Sequence, residues 1–286
     1  MKIIGNSRLE VSKFLNMKKS RNLQSRISNA LFAILCGICF ALPIAAQTAA
    51  PEGMVSIPAG KFWMGRTNSF WRDALDTEPR AKRDDRPANL IYLDSFYLDK
   101  YEVTNADYAR FVEATGTRPP WHWPQGKIAK GEERVAVYNV NWFEATAFCK
   151  WAGKRLPTEA EWEKAVRGGH DRKVYAWVDD SDPGERVPAA INRGKAMPVG
   201  SFPANGYGVY DMIGNVMEWT NDWYDMNYYA FMPKKNPQGP ETGLYKSVRG
   251  GGWTDTLGED GQLANFYRNF SDPELRGLTI GFRCAK

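Results

Sequence analysis

Cysteine and histidine are the scarce residues of this chain, and their scarcity excludes whole classes of chemistry. Of 286 residues, four are cysteine and two are histidine. Cys36 and Cys39 lie in an N-terminal apolar run, and no cysteine stands between Trp253 and Cys284. Cu(I) selects soft thiolates, so a copper site has little to build on in the C-terminal part. A histidine-built iron centre or a Ser-His-Asp set needs imidazoles with partners at ligand or hydrogen-bond spacing. His122 and His170 have none that the sequence supports. An excess of basic charge is also lacking. The formal charge of +5 comes from residues 1–46, with seven Lys/Arg and one Glu; the remainder holds 31 basic and 32 acidic residues. Phosphate-backbone binding needs a basic footprint, so nucleic acid is not an expected partner. There is no internal repeat, low-complexity stretch or clear linker.

The first 46 residues differ from the rest. Lys18, Lys19, Arg21 and Arg26 precede an uncharged run from Ala30 to Ala46, and Gln47-Thr48-Ala49-Ala50-Pro51 follows. A basic region, an apolar stretch and small residues at its end read as a secretory signal. The alternative is an uncleaved anchor, although the run is short of the roughly 20 residues a span needs. Met17 also offers a start, since residues 1–16 add nothing such a signal requires. Leu35 and Ile38 precede the two cysteines where lipoprotein processing wants a small residue. The expectation is an exported protein of the bacterial periplasm or cell surface, touching a membrane only through this segment if it is retained. One domain is expected from about residue 52 to 286. Cys149 and Cys284 in such a domain form either one disulfide or two buried thiols.

Aromatics are abundant: eleven Trp, thirteen Tyr and fourteen Phe. Large burial per residue suits a fold with little regular structure. Met54 to Gly65 reads as two short strands around Pro58-Ala59-Gly60, and Leu90 to Leu98 as one strand. Thr104 caps a helix carrying Tyr108, Phe111 and Val112 and stopped by Gly116. Trp142 to Trp151 is helical in pattern. Thr158-Glu159-Ala160-Glu161 is a capping box, with Trp162, Ala165 and Val166 as the buried face and Gly168-Gly169 as the stop. Beyond Gly169 few helices are expected.

Five blocks occur in order: Met54–Gly65, Phe96–Asn105, Val140–Ala165, Pro198–Trp223 and the C-terminal frame. That frame consists of Ser247–Trp253, Asn265–Asn269 and Gly281–Ala285. Together they resemble the sulfatase-modifying-factor family of formylglycine-generating enzymes. The runs from Arg155 to Glu163 and from Gly214 to Trp219 are its most specific signatures. The resemblance implies a single compact α+β domain related to C-type lectin-like folds, low in regular secondary structure. It also implies that Cys149 and Cys284 are two halves of a structural disulfide, worth roughly 4–5 kcal/mol for a loop of this length.

The family's known oxidase activity uses copper and a cysteine pair after the Gly-Gly-x-Trp turn. Here that stretch reads Thr254 to Gln262, with Asp255, Glu259 and Asp260 but no thiol. Copper is therefore not expected. The histidine-bound iron of sulfoxide synthases sharing this fold is not expected either. Calcium is expected, because the resemblance makes the Gly214 turn a calcium loop, with Asn215, the carbonyl of Val216 and Glu218 as ligands. A second family site would begin near Ile191-Asn192, but the acidic stretch before Pro198 is missing. Trp121, Trp123, Trp253, Arg249 and Arg268 are candidate walls of a pocket for a peptide, protein or carbohydrate. Arg249, Arg268 and Arg283 also read as structural, holding loop carbonyls. The resulting expectation is an exported, calcium-stabilised binding or assembly component without the known oxidase site. The alternative is an oxidoreductase of the formylglycine-generating type acting on a sulfur group.

Overall fold

The computed structural model describes residues 50–67, 84–175, 194–255 and 263–286. The signal-like segment, Ile191-Asn192, Glu259 and Asp260 lie outside the described residues. Strands β1 (Met54–Ile57) and β2 (Gly60–Met64) flank the expected turn, but they do not pair with each other. Strand β1 runs antiparallel to β4 (Phe96–Asp99), with Met54 opposite Asp99. Strand β2 runs antiparallel to β3 (Asn89–Leu93), with Gly60 opposite Leu93. The single strand expected over residues 90–98 is thus two. Its break falls at exposed Asp94 and Ser95, where the Asp94 N–H donates to Asn236 Oδ1 at 2.9 Å. A loop side chain takes a bond that would otherwise extend a ladder.

Each of the three α-helices among the described residues starts with a reciprocal capping box. Thr104 and Asp107 open α1 (Asn105–Thr115), Asn141 and Glu144 open α2 (Trp142–Trp151), and Thr158 and Glu161 open α3 (Glu159–Val166). Each satisfies two otherwise orphaned N–H groups, and losing such a cap typically costs about 1 kcal/mol. Gly116 ends α1 in a left-handed conformation. Helix α3 packs on β2, β5 (Met217–Trp223) and β6 (Lys246–Arg249). All eight of its residues are buried, including three glutamates and Lys164. The apolar-face reading captured half of this helix; its polar face is buried against arginines.

The C-terminal part forms a four-stranded sheet in the order β7-β6-β5-β8, with β7 at Asn269–Ser271 and β8 at Ile280–Gly281. Beyond Gly169 the described residues contain only one helical turn, the 3-10 turn Tyr228–Ala230. One core gathers Ile57, Met64, Ile91, Trp162 and Tyr229. Another gathers Tyr108, Phe148, Trp219 and Phe282 around the Cys149–Cys284 disulfide. That bond links α2 to the chain end across a sequence separation of 135, with Cα atoms 5.7 Å apart. The residues from Ala50 to Lys286 form one compact unit. No described helix is long and apolar enough to cross a membrane.

Candidate functional site

The arginines of the C-terminal frame lie in the interior. Arg249 is fully buried; it donates to Glu159 Oε1 at 2.8 Å, Glu163 Oε2 at 2.9 Å and the Asn265 carbonyl at 2.7 Å. Arg268 forks onto Glu159 at 2.7 and 3.0 Å and reaches the carbonyls of Asp84 and Asp225. Arg167 completes the set by donating to Glu163 at 2.7 Å. Burial alone would raise the Glu159 carboxyl, but Arg268 and then Arg249 outweigh it and hold it below its ordinary value. These bonds tie α3 to β6 and to the loop before β7. Arg249 and Arg268 thus spend these bonds on internal partners, while the buried Arg249 Nε has none.

The glycine turn at Gly214 leads to a second buried charge cluster. Asn215 Oδ1 accepts from Met197 N at 2.8 Å, and its Nδ2 donates to Glu102 Oε2 at 2.9 Å. Val216 N donates to Glu102 Oε1 at 3.3 Å. Glu218 receives Arg283 through Nε at 2.8 and 2.9 Å and through Nη2 at 2.7 Å, and Trp162 Nε1 at 2.9 Å. The three residues expected to hold calcium are therefore adjacent, but the Asn215 and Glu218 side chains already have internal partners. Two further carboxylates, Glu102 and Asp211, belong to this cluster. The sequence reading missed both, although they stand in the matched blocks YEVTN and YDMIGN.

Asp211 adopts a left-handed conformation with φ 53°. Its Oδ2 accepts from Gly200 N, while its buried Oδ1 has no hydrogen-bond partner. Burial and then the neighbouring Asp211 push the Glu102 carboxyl well above its ordinary value, and burial also raises Asp211. Three buried carboxylates thus share one guanidinium, Arg283, and would carry an excess of two negative charges if all were ionised. A hard divalent cation matches that excess and takes carboxylate and carbonyl oxygens. Among the described residues no three Asp, Glu, His or Cys side chains converge closely enough to hold an ion by themselves. An ion here would use Asp211 and Glu102 with backbone carbonyls and water. Glu102 also lines a cavity of about 400 Å3 beside Glu52, Asp99, Tyr101 and Trp151; Asp211 and Glu218 do not line it.

The candidate pocket residues separate by depth. Trp123 is buried and donates from Nε1 to Asn105 Oδ1 at 3.0 Å. Trp253 is buried edge-on to Tyr138, whose ring stacks on His122 at 3.7 Å. Burial lowers His122 to about 4, although Asn139 beside it favours the charged form, and neither ring nitrogen has a partner in hydrogen-bond geometry. Asp255 Oδ2 accepts from Gly252 N at 2.8 Å and so closes the turn after the glycines. Trp121 alone of the five is exposed, at 60%. Its loop is rigidly backed: Arg276 donates to the carbonyls of Arg118 and Pro119 and pairs with Glu144. The five do not form one cleft; the loop presents a single indole to solvent.

This architecture, an α+β unit of short ribbons and ordered loops locked by internal Arg–Glu pairs, defines a class before it defines a chemistry. Residues 40–286 match the model of the sulfatase-modifying factor enzyme 1-like domain. The chain is 33% identical over 294 residues to the formylglycine-generating enzyme of Streptomyces coelicolor, with 84% of this chain and 91% of that protein covered. It is 36% identical over 250 residues to serine/threonine-protein kinase pkn1 of Chlamydia caviae, which covers 82% of this chain; the chain spans only 38% of that kinase. The structure of PvdO from Pseudomonas aeruginosa superposes with a TM-score of 0.65 at 27% identity, covering 81% of this chain and 93% of PvdO. The chain belongs to the sulfatase-modifying-factor family of formylglycine-generating-enzyme-type domains.

Proposed function

We propose that this is an exported, calcium-stabilised member of the family that does not oxidise cysteine through a thiol pair and serves as a binding or assembly component. One observation carries the reading. Beyond residue 46 the chain has two cysteines, and both are joined in the buried Cys149–Cys284 disulfide. No thiol is left in the domain to bind Cu(I). The stretch after Trp253 instead carries Asp255, whose carboxylate holds its own turn. The disulfide and the signal-like segment support an oxidising, extracytoplasmic location, either periplasm or cell surface. The exposed indole of Trp121 on its braced loop supports contact with a peptide, protein or carbohydrate, since rigid aromatic anchors contribute contact area at low entropic cost. Calcium fits the cluster of Glu102, Asp211 and Glu218, where it would supply the charge the carboxylates lack.

The test is direct. Purified protein is incubated with copper, oxygen, a reductant and a Cys-x-Pro-x-Arg peptide, beside an active relative, and the peptide is weighed by mass spectrometry. The reading expects an unchanged cysteine. Conversion to formylglycine that survives Cys284→Ser would refute it and restore the oxidoreductase alternative.

A further inference from the structure

We propose that Arg283 is a built-in counter-cation and brace for the calcium cluster, and that it sets how strongly the fold depends on the metal. This inference rests on the calcium reading above. Arg283 is fully buried, and its bonds reach each segment that carries a clustered carboxylate. Nε and Nη2 bind Glu218 itself. Nη2 also donates to the Tyr210 carbonyl at 2.9 Å, one residue before Asp211. Nη1 donates to the carbonyls of Asp99 at 3.3 Å and Lys100 at 3.2 Å, in the turn leading to Glu102. One planar guanidinium thus joins the turn before Glu102, the Tyr210 backbone and Glu218, which a point-charge ammonium cannot do in the same way.

With Arg283 present, the cluster has one positive partner for three carboxylates. Without it, the metal-free domain must bury three carboxylates with no nearby cation, a costly arrangement. Calcium would then replace the missing charge, and it would bind without a neighbouring positive group opposing it. Removing Arg283 is expected to lower stability mainly in the metal-free state. A merely structural arginine would lower stability equally with and without metal.

The experiment compares melting temperatures of the full, disulfide-bonded protein in excess calcium and in EGTA. Wild type, Arg283→Met, Arg283→Lys and Glu218→Gln are measured side by side. Wild type is expected to melt higher in calcium; no shift would overturn the calcium reading itself. Given a wild-type shift, Arg283→Met should show a larger one, chiefly through a lower Tm in EGTA. Arg283→Lys should fall in both conditions and keep a shift near that of wild type, because it retains the charge and loses the brace. A shift in Arg283→Met no larger than wild type's would overturn the assignment of Arg283. Glu218→Gln removes one negative charge of the cluster itself and should reduce the calcium shift; an unchanged shift would overturn the placing of calcium at this cluster. If Arg283→Met does not fold in either condition, Arg283→Gln takes its place, with a larger calcium shift expected and a shift no larger than wild type's overturning the assignment.

Discussion

Glu159→Gln is the substitution that most sharply tests the buried charge network. The Glu159 carboxylate is buried and accepts three charge-assisted bonds: Arg268 Nε at 2.7 Å, Arg268 Nη2 at 3.0 Å and Arg249 Nη1 at 2.8 Å. Glutamine keeps the volume, so no cavity forms. It loses the charge, and its amide nitrogen meets a guanidinium donor where an oxygen accepted before. Three arginines, Arg167, Arg249 and Arg268, would then face Glu163 and Asp84. Removing one partner of a buried pair costs roughly 3–5 kcal/mol, because the other charge stays buried without it. For a domain of this size about 1 kcal/mol moves Tm by roughly 2–4 °C, so the expected fall is about 6–20 °C. Urea unfolding followed by tryptophan emission gives the free energy, with the slope against urea expected to match wild type. Adding Arg268→Met should recover part of the loss, since the double variant removes both charges. A loss below about 1 kcal/mol, as for an exposed ion pair, would refute the reasoning. The pH dependence provides a further check. Glu159 is held below its ordinary value, so its contribution is present above the unfolded value and lost as pH falls through the folded one.

Asp222 titrates in the opposite sense. Burial first and the charge of Glu159 second raise it to about 8. The folded state therefore holds a proton that the unfolded chain releases near the ordinary value, and the stability contribution of Asp222 falls as pH rises from about 4 to 8. Asp222→Asn keeps an oxygen for the Glu159 N–H, now 2.8 Å away. The variant should gain stability relative to wild type between about pH 5 and 8; a constant difference across that window would count against the assignment. Gly250→Ala tests the glycine turn. Gly250 has φ +94°, and an added Cβ would lie 2.8 Å from the Met212 carbonyl and 3.0 Å from Trp162 Cζ2. The expected loss is roughly 1–3 kcal/mol by urea midpoint, and a neutral substitution would mean that the turn can shift.

The helices were legible because their starting signals are local. Thr104 and the Thr158–Glu161 box mark starts in the sequence, and the structure places caps at those residues. The disulfide was legible only through the family frame, since two cysteines separated by 135 residues carry no pairing information of their own. Strand pairing was not legible. β1 and β2 look like a hairpin, yet each finds its partner further downstream, Ile57 opposite Phe96 and Met64 opposite Asn89. That outcome depends on contacts no short window contains. The depth of the arginines was legible in role but not in partner. They hold carbonyls, as read, but they also neutralise α3 glutamates that a helical wheel assigns to solvent.

The glycine-turn cluster shows how the fold adds members to a candidate site. Asn215, Val216 and Glu218, within four residues of one another, were expected as ligands because the family resemblance makes their turn a calcium loop. In the structure, Asn215 and Glu218 turn their side chains to internal partners, while the orphaned oxygen belongs to Asp211 and the other raised carboxyl to Glu102. Glu102 is more than a hundred residues from Asp211, so only the fold brings the two together. A residue's chemistry can be read from the sequence, but its availability cannot, because availability is set by which neighbours have already taken its lone pairs. Arg283 is the clearest case. Its place in Gly-Phe-Arg-Cys identifies a structural arginine, yet its six donor contacts span the three segments where uncompensated negative charge collects. If calcium binds there as proposed, the same residue that stabilises the fold would limit how much charge is left for the metal to neutralise.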